Sequence, residues 1–433
     1  METNLKYCMT AIVGILNKQA IAVAADSAVT VGGGMKIYNT ANKLFTLSKR
    51  HPVGVAIYNN ASYNGCVPWE VVIKMYRNQL QDKHFPAVRE YAVNLIAYLD
   101  DFRAKFYKQE DLNKVLSSDV FTFWMANIVQ NLPHNNRQSS SILKEDLVAL
   151  KSNITSLKDS LAKSEKITQI EEVDIESFKA SICGIWPEIQ KQLEAAGGKY
   201  QELENDIKEL LFLAFTRKGF EHPFYSGLAV FGYGEDEVYP SLYEFRIHNT
   251  FVDKPYVEEC GSAIVAEPHS NAFIRPMAQM DVIQTYIEGI SPQIEKTFID
   301  STIQTMRATL DAISKTVETS DRKLANQIRA IDLTPVIQSY ANSIGKFKQD
   351  HIVAPLIRTV ASMGKEDIAE LAENLIYMTS MKRHITPNLE SVGGPVDVAV
   401  VSKGDGFIWM KRKHYFDPQL NSCFFENYFE NNK

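Results

Sequence analysis

Three residues near the start of the chain could together form a hydrolytic centre: Thr10, Asp26 and Lys43. A threonine hydroxyl is a weak nucleophile until a base takes its proton. One such base is the residue's own α-amine, whose pKa of about 8 suits neutral pH. That arrangement requires threonine to be the first residue of the mature chain. A cationic lysine beside it lowers the pKa of the amine and leaves more of it free to accept a proton. A carboxylate then neutralises and orients the lysine. Asn59 and Asn60 open a polar turn after an apolar run, from which a backbone N–H can be aimed at a developing oxyanion.

The elements that must bring these residues together can be read from hydrophobic patterning. Thr10-Ala-Ile-Val-Gly-Ile and Ala20-Ile-Ala-Val-Ala-Ala-Asp26 flank a short polar turn, the pattern of a buried antiparallel hairpin. With residues 17–19 as the loop, Leu16 pairs with Ala20, and the same register sets Thr10 opposite Asp26. A slip of one residue turns a strand's side chains to the other face. Residues 31–34 read as a flexible connector, 43–47 as a short strand, and 52–58 as a strand returning to the same end. Residues 69–80 and 87–106 are amphipathic helices separated by Pro86.

The segment from about 107 to 222 is polar and helical. Leu143, Leu147, Leu150, Ile154, Leu157 and Leu161 step by four and three, which suits a surface helical hairpin packed on itself. Three strands are expected at 228–233, 238–247 and 250–257, then helices over about 276–365 and 366–381. A closing hairpin pairs 396–402 with 407–410 across a Gly-Asp-Gly turn. Interrupted β and α blocks argue for stacked α+β layers and against regular α/β alternation.

Composition narrows the setting. The 433 residues are 45% apolar and 23% charged, and the net charge of -6 argues against a nucleic-acid partner held by a general basic field. Five scattered cysteines form no Cys-x-x-Cys pair, which points to a reducing cytoplasm. No apolar run reaches the length of a membrane span, so no membrane partner is expected, and the first nine residues lack a signal-peptide core. Those nine end at Met9, directly before Thr10. His248, His269 and His384 lack metal-ligand spacing, and Gly32–Gly34 is not followed by the residues of a phosphate loop. No cofactor is expected.

Thr10-Ala-Ile-Val-Gly-Ile, Ala24-Ala-Asp26-Ser-Ala-Val-Thr30, Ala41-Asn-Lys43-Leu-Phe and Val396-Asp-Val-Ala-Val resemble the proteasome β-subunit family of N-terminal-nucleophile hydrolases. That family includes the peptidase ring of the bacterial ATP-dependent HslUV protease. The likeness covers roughly 10–106, 226–290 and 364–410. The resemblance implies a four-layer αββα sandwich: one hydrolase domain over 10–410, after a 1–9 leader or mis-assigned start and before a 411–433 tail. Helical insertions at about 107–222 and 293–360 have no counterpart in ordinary β-subunits. It further implies a threonine endopeptidase acting on peptides or unfolded protein in a homo-oligomeric ring, with an ATP-dependent unfoldase as partner by analogy. In that scheme Thr10 is nucleophile and base, Asp26 and Lys43 support it, and Ser262 matches the serine that holds the terminal amine. Asn59 stands where the family usually has an oxyanion-hole glycine. Leu389-Glu-Ser-Val392-Gly-Gly departs from the family's Asp-x-x-Ser-Gly-Gly, with Glu390 and Ser391 as the available replacements. Two other expectations remain: a non-catalytic ring or scaffold subunit that keeps its leader, and an amidase acting on a small non-peptide amide.

Overall fold

Every residue of the first two apolar runs is buried, because β1 (Ala11–Asn17) and β2 (Ile21–Ala25) are inner strands of a sheet covered on both faces. The structure, a computed structural model, describes residues 10–31, 36–38, 41–48, 50–81, 83–133, 142–197, 203–220, 222, 224–266, 268, 270–278, 280–386, 393–414 and 416–423. Short β3 (Val29–Val31) and β4 (Lys36–Tyr38) pair with each other. Next come β5 (Leu44–Thr46), β6 (Val53–Tyr58), β7 (Ser62–Tyr63), β8 (Val67–Pro68), α1 (Trp69–Leu80) and α2 (Val88–Phe106). A helical stretch holds α3 (Gln109–Phe123), α4 (Leu147–Ala162), α5 (Ile175–Ser181), α6 (Trp186–Ala195) and α7 (Glu204–Thr216). Four strands follow: β9 (Tyr225–Gly232), β10 (Ser241–His248), β11 (Val257–Ile264) and β12 (Ala272–Ala278). A second helical stretch comprises α8 (Asp281–Glu288), α9 (Pro292–Glu318), α10 (Arg322–Arg329), α11 (Thr334–Lys348), α12 (Ala354–Ser362) and α13 (Lys365–Ile385). The closing hairpin is β13 (Asp397–Ser402) and β14 (Gly406–Lys411).

The larger strands form two antiparallel five-stranded sheets, ordered β12-β1-β2-β13-β14 and β11-β10-β9-β6-β5. Ile12, Leu16 and Val23 of the first sheet share one core with Ala56, Phe231 and Leu242 of the second. The other face of the first sheet presents Ala11, Val13 and Ile15 to Ile283 of α8, Val360 of α12 and Leu375 of α13. The other face of the second sheet packs Val55 and Val230 against Ile73 of α1 and Leu95 of α2. Burial on both faces is why β1 and β2 read as continuous apolar runs and not as alternating ones. Glycine permits a close approach between the sheets at Gly54, where a Cβ would lie 2.7 Å from the Phe407 ring of β14 and 2.6 Å from the ring of its own cross-strand neighbour Phe231.

Several expectations shift. The hairpin pairs Leu16 with Ile21 and Ile12 with Ala25, one residue from the expected register, so Asp26 lies opposite Ala11. The cause is a tighter turn, in which Asn17 N donates to Ala20 O at 3.0 Å and the Asn17 side chain caps Gln19 N at 2.9 Å. The third strand of the later group runs from Val257, not over 250–257, and a fourth strand, β12, occupies the stretch expected to open a helix. Pro276, taken for a helix start, sits in that strand; β12 lies at the edge of its sheet, where a missing N–H is tolerated. The leucine seam is not half of a self-packed hairpin. Leu150, Ile154 and Leu161 of α4 enter a multi-helix core with Phe123, Phe178 and Leu210, whereas Leu143 is exposed.

Candidate active site

The site is built around Asp26, which ends β2 with its carboxylate 1% exposed. Its Oδ1 accepts from Ala11 N at 2.9 Å and from Lys43 Nζ at 2.7 Å. Its Oδ2 accepts from Ala28 N at 3.1 Å and from Gly393 N at 3.3 Å. A buried carboxylate is costly unless its lone pairs are satisfied, and here four donors converge on it. Those donors come from the first residue of β1, the loop after β2, the residue before β5, and the turn before β13. One side chain therefore ties four chain segments to the same end of the sheets. The Gly393 segment is held twice more, through Ser27 N to Gly393 O at 3.2 Å and Ser27 Oγ to Pro395 O at 2.5 Å.

Lys43 is fixed by the start of β5, where its carbonyl accepts from Ile57 N at 2.8 Å. Its ammonium, 6% exposed, donates to Asp26 and to Ala28 O at 2.6 Å. Thr10, 2% exposed, directly precedes β1, and the Asp26–Ala11 bonds anchor the residue next to it. Thr10, Lys43 and Asn59 line one cavity of about 190 Å³, together with Ala41, Asn42, Ile57, Tyr58, Asn60, Ala61, Pro68, Trp69 and Glu70. A hydroxyl, an ammonium paired with a carboxylate, and a backbone turn thus border one recess, a set suited to acyl transfer.

Asn59 has φ of 67°, the left-handed region where asparagine is among the few non-glycine residues that fit. This is the physical reason that asparagine can stand at a position expected to hold glycine. Its side-chain amide donates to Tyr225 O at 2.8 Å. Tyr58, one residue earlier, lies over Gly227, where any Cβ would sit 2.0 Å from the ring. Its hydroxyl donates to Glu244, which also receives Arg275 at 2.6 and 3.1 Å. Burial, and after it the Glu244 carboxylate, pushes the Tyr58 phenol far above its usual range, so Tyr58 stays a neutral donor. Trp69 closes another wall, held by Nε1 to Ser226 Oγ at 2.9 Å.

Ser262 does not join this group. It lies within β11, paired with Tyr243 and exposed, at the opposite edge of its sheet from β5, with β10, β9 and β6 between. The misplaced third strand explains the difference: Ser262 was expected just past a strand end and is inside a strand. Glu390 and Ser391 lie outside the described residues. Sequence reasoning missed Gly393 as a donor to Asp26, although Gly393-Gly394-Pro395 was legible as a turn; it also missed Tyr58, Trp69 and Glu70 as cavity walls. Among the described residues, no group of three or more His, Cys, Asp and Glu side chains is placed to hold a metal ion, and no helix is long and apolar enough to cross a membrane.

No family model and no curated protein matches the chain. Solved structures are similar to it at a low level. One is described as Anbu (ancestral beta-subunit) from Yersinia bercovieri, at 10% identity and TM-score 0.30, covering 97% of this chain and 94% of that one. Another is described as the helical assembly of the Anbu complex from Pseudomonas aeruginosa, at 10% identity and TM-score 0.32, covering 98% and 96%. A third is an Anbu (Gly-1) mutant from Hyphomicrobium sp. strain MC1, at 10% identity and TM-score 0.27, covering 97% and 95%. These neighbours correct the family suggested by the motifs: they are Anbu chains, not proteasome β-subunits or the HslUV peptidase. At this similarity they carry no argument about activity.

Proposed function

We propose that this chain is a threonine-type N-terminal-nucleophile hydrolase that cleaves peptide bonds, built as a four-layer αββα sandwich. The observation that carries the reading is the meeting of Thr10, the Asp26–Lys43 pair and Asn59 around one recess. In this mechanism residues 1–9 are removed and the freed α-amine of Thr10 takes the proton of its own hydroxyl. Thr10 Oγ attacks the scissile carbonyl, and the Asn59 turn supplies a backbone N–H to the oxyanion. The amine returns the proton to the leaving amine, giving an ester at Thr10. Water, deprotonated by the same amine, then releases the acid. Lys43 holds positive charge near the amine and Asp26 holds Lys43. Homo-oligomeric assembly belongs to the same proposal, supported by the exposed apolar side chains Phe298, Val336, Tyr340 and Phe347 on α9 and α11.

Thr10→Ala tests the reading. It should lower kcat/KM on peptide reporters by at least about 10³-fold and abolish labelling by threonine-directed electrophiles. Labelling that persists in Thr10→Ala places the nucleophile elsewhere.

A further inference from the structure

The charges around the recess carry a statement about which substrates it takes. Among the described residues, Lys43 and Glu70 are the charged side chains lining it. Lys43 is matched at 2.7 Å by Asp26, so that pair brings no net charge to the cavity. Among those described, Glu70, in the first turn of α1, is left as the unbalanced charge, and Asn42 Nδ2 donates to its Oε2 at 3.4 Å. The other walls are apolar or neutral: Ile57, Tyr58 and Trp69 are buried, whereas Ala61 and Pro68 are exposed. Glu70 is also exposed, so its carboxylate stands at the rim with Ala61 and Pro68 while the apolar surface of Ile57, Tyr58 and Trp69 lies deeper. A side chain with a long aliphatic stem and a charged end fits this gradient, because its stem can bury while its head stays hydrated.

Resting on the threonine-hydrolase reading, we propose that this recess selects peptide substrates with lysine or arginine on the acyl side of the scissile bond, and that Glu70 is the residue that selects them. Acidic side chains are disfavoured by the same carboxylate. The residue acts on substrate choice and takes no part in the bond-breaking steps.

The test uses full-chain protein whose N-terminus has been sequenced, and peptide reporters identical except for Arg, Lys, Leu or Glu before the scissile bond. Arg and Lys should exceed Leu by about fivefold in kcat/KM, the size that an exposed ion pair supports, and the ratio should shrink as salt is raised. Glu70→Gln should bring the Arg-to-Leu ratio close to one, and Glu70→Lys should turn the preference toward Glu. Cleavage with equal rates for Arg and Leu, or a ratio unchanged in Glu70→Gln, overturns the role of Glu70 and leaves the threonine-hydrolase reading standing. A preparation beginning at Thr10 that cleaves none of the reporters overturns both.

Discussion

The site end of the two sheets and the α9–α11 segment treat polar and apolar groups in opposite ways. Around Thr10, charged and polar side chains are buried, and the Asp26 carboxylate has four donors. In α11 no residue is buried and in α9 only Ser314 is, while Ile294, Phe298, Val336 and Phe347 face outward. Polar links in that segment include Lys348 with Glu288 and Glu295 at 2.7 Å each and Arg329 with Glu318 at 2.7 Å. The lesson is that a buried charge here marks a position fixed by several segments at once, whereas the exposed apolar residues of α9 and α11 contribute little to the stability of the single chain. Substitution should therefore be expensive at one place and nearly silent at the other.

The largest expected effect is at Asp26. Asp26→Ala leaves the Lys43 ammonium buried without its carboxylate, and should lower unfolding free energy by about 3–5 kcal/mol in urea titrations. A change below about 1 kcal/mol would mean that the pair does not hold the chain ends together. Next, Leu16→Ala should cost about 3 kcal/mol, because Leu16 is fully buried between the sheets, whereas Phe347→Ala should stay within about 0.5 kcal/mol. Equal costs in paired thermal melts would erase the contrast.

The helical stretch over α3–α7 stands between these extremes, because among the titratable groups buried in it and just after it Asp119 and His222 have opposing effects. Burial raises the Asp119 carboxyl to about 7, against a hydrogen bond from Asn249, and lowers the His222 imidazole to about 4, against its bond to Ala214 O. From about pH 4 to 7 folded Asp119 keeps a proton that the unfolded chain has lost, so its contribution to stability falls as pH rises. From about pH 4 to 6.5 the unfolded chain binds a proton at His222 that the folded protein refuses, so that contribution rises with pH. Relative to wild type, Asp119→Asn should gain about 2 kcal/mol between pH 4.5 and 6.5, and His222→Gln should lose a similar amount, by chemical denaturation at each pH. A smaller effect than at Asp26 is expected at Asn59: Asn59→Gly keeps the left-handed turn and loses the bond to Tyr225 O, about 1 kcal/mol, while Asn59→Val should cost clearly more.

Much of this arrangement was legible in the residues. The opening hairpin, the strand ending at Tyr58, the helices from Trp69 to Leu80 and from Val88 to Phe106, and the closing hairpin follow from local apolar periodicity and turn chemistry. The meeting of Thr10, Asp26 and Lys43 at one end followed from that pattern together with the motifs. What could not be read depended on contacts distant in sequence. The Gly393 donor to Asp26 lies 367 residues away. The one-residue shift of the hairpin comes from the Asn17 side chain bonding inside its own turn, and two strands made only of buried residues carry no alternation that would reveal register. β12 was hidden by Pro276, whose tolerance depends on an edge position that only the assembled sheet defines. Ser262 was displaced by the same error in strand boundaries.

The central claim rests on the α-amine of Thr10, and one measurement reaches it directly: N-terminal sequencing with intact mass of the full chain after expression and purification, on a preparation shown to cleave peptide reporters. The account predicts a chain that begins at Thr10, released by self-cleavage of the Met9–Thr10 bond or by translation from Met9 followed by removal of that methionine. An active preparation that still begins at Met1 would contradict it.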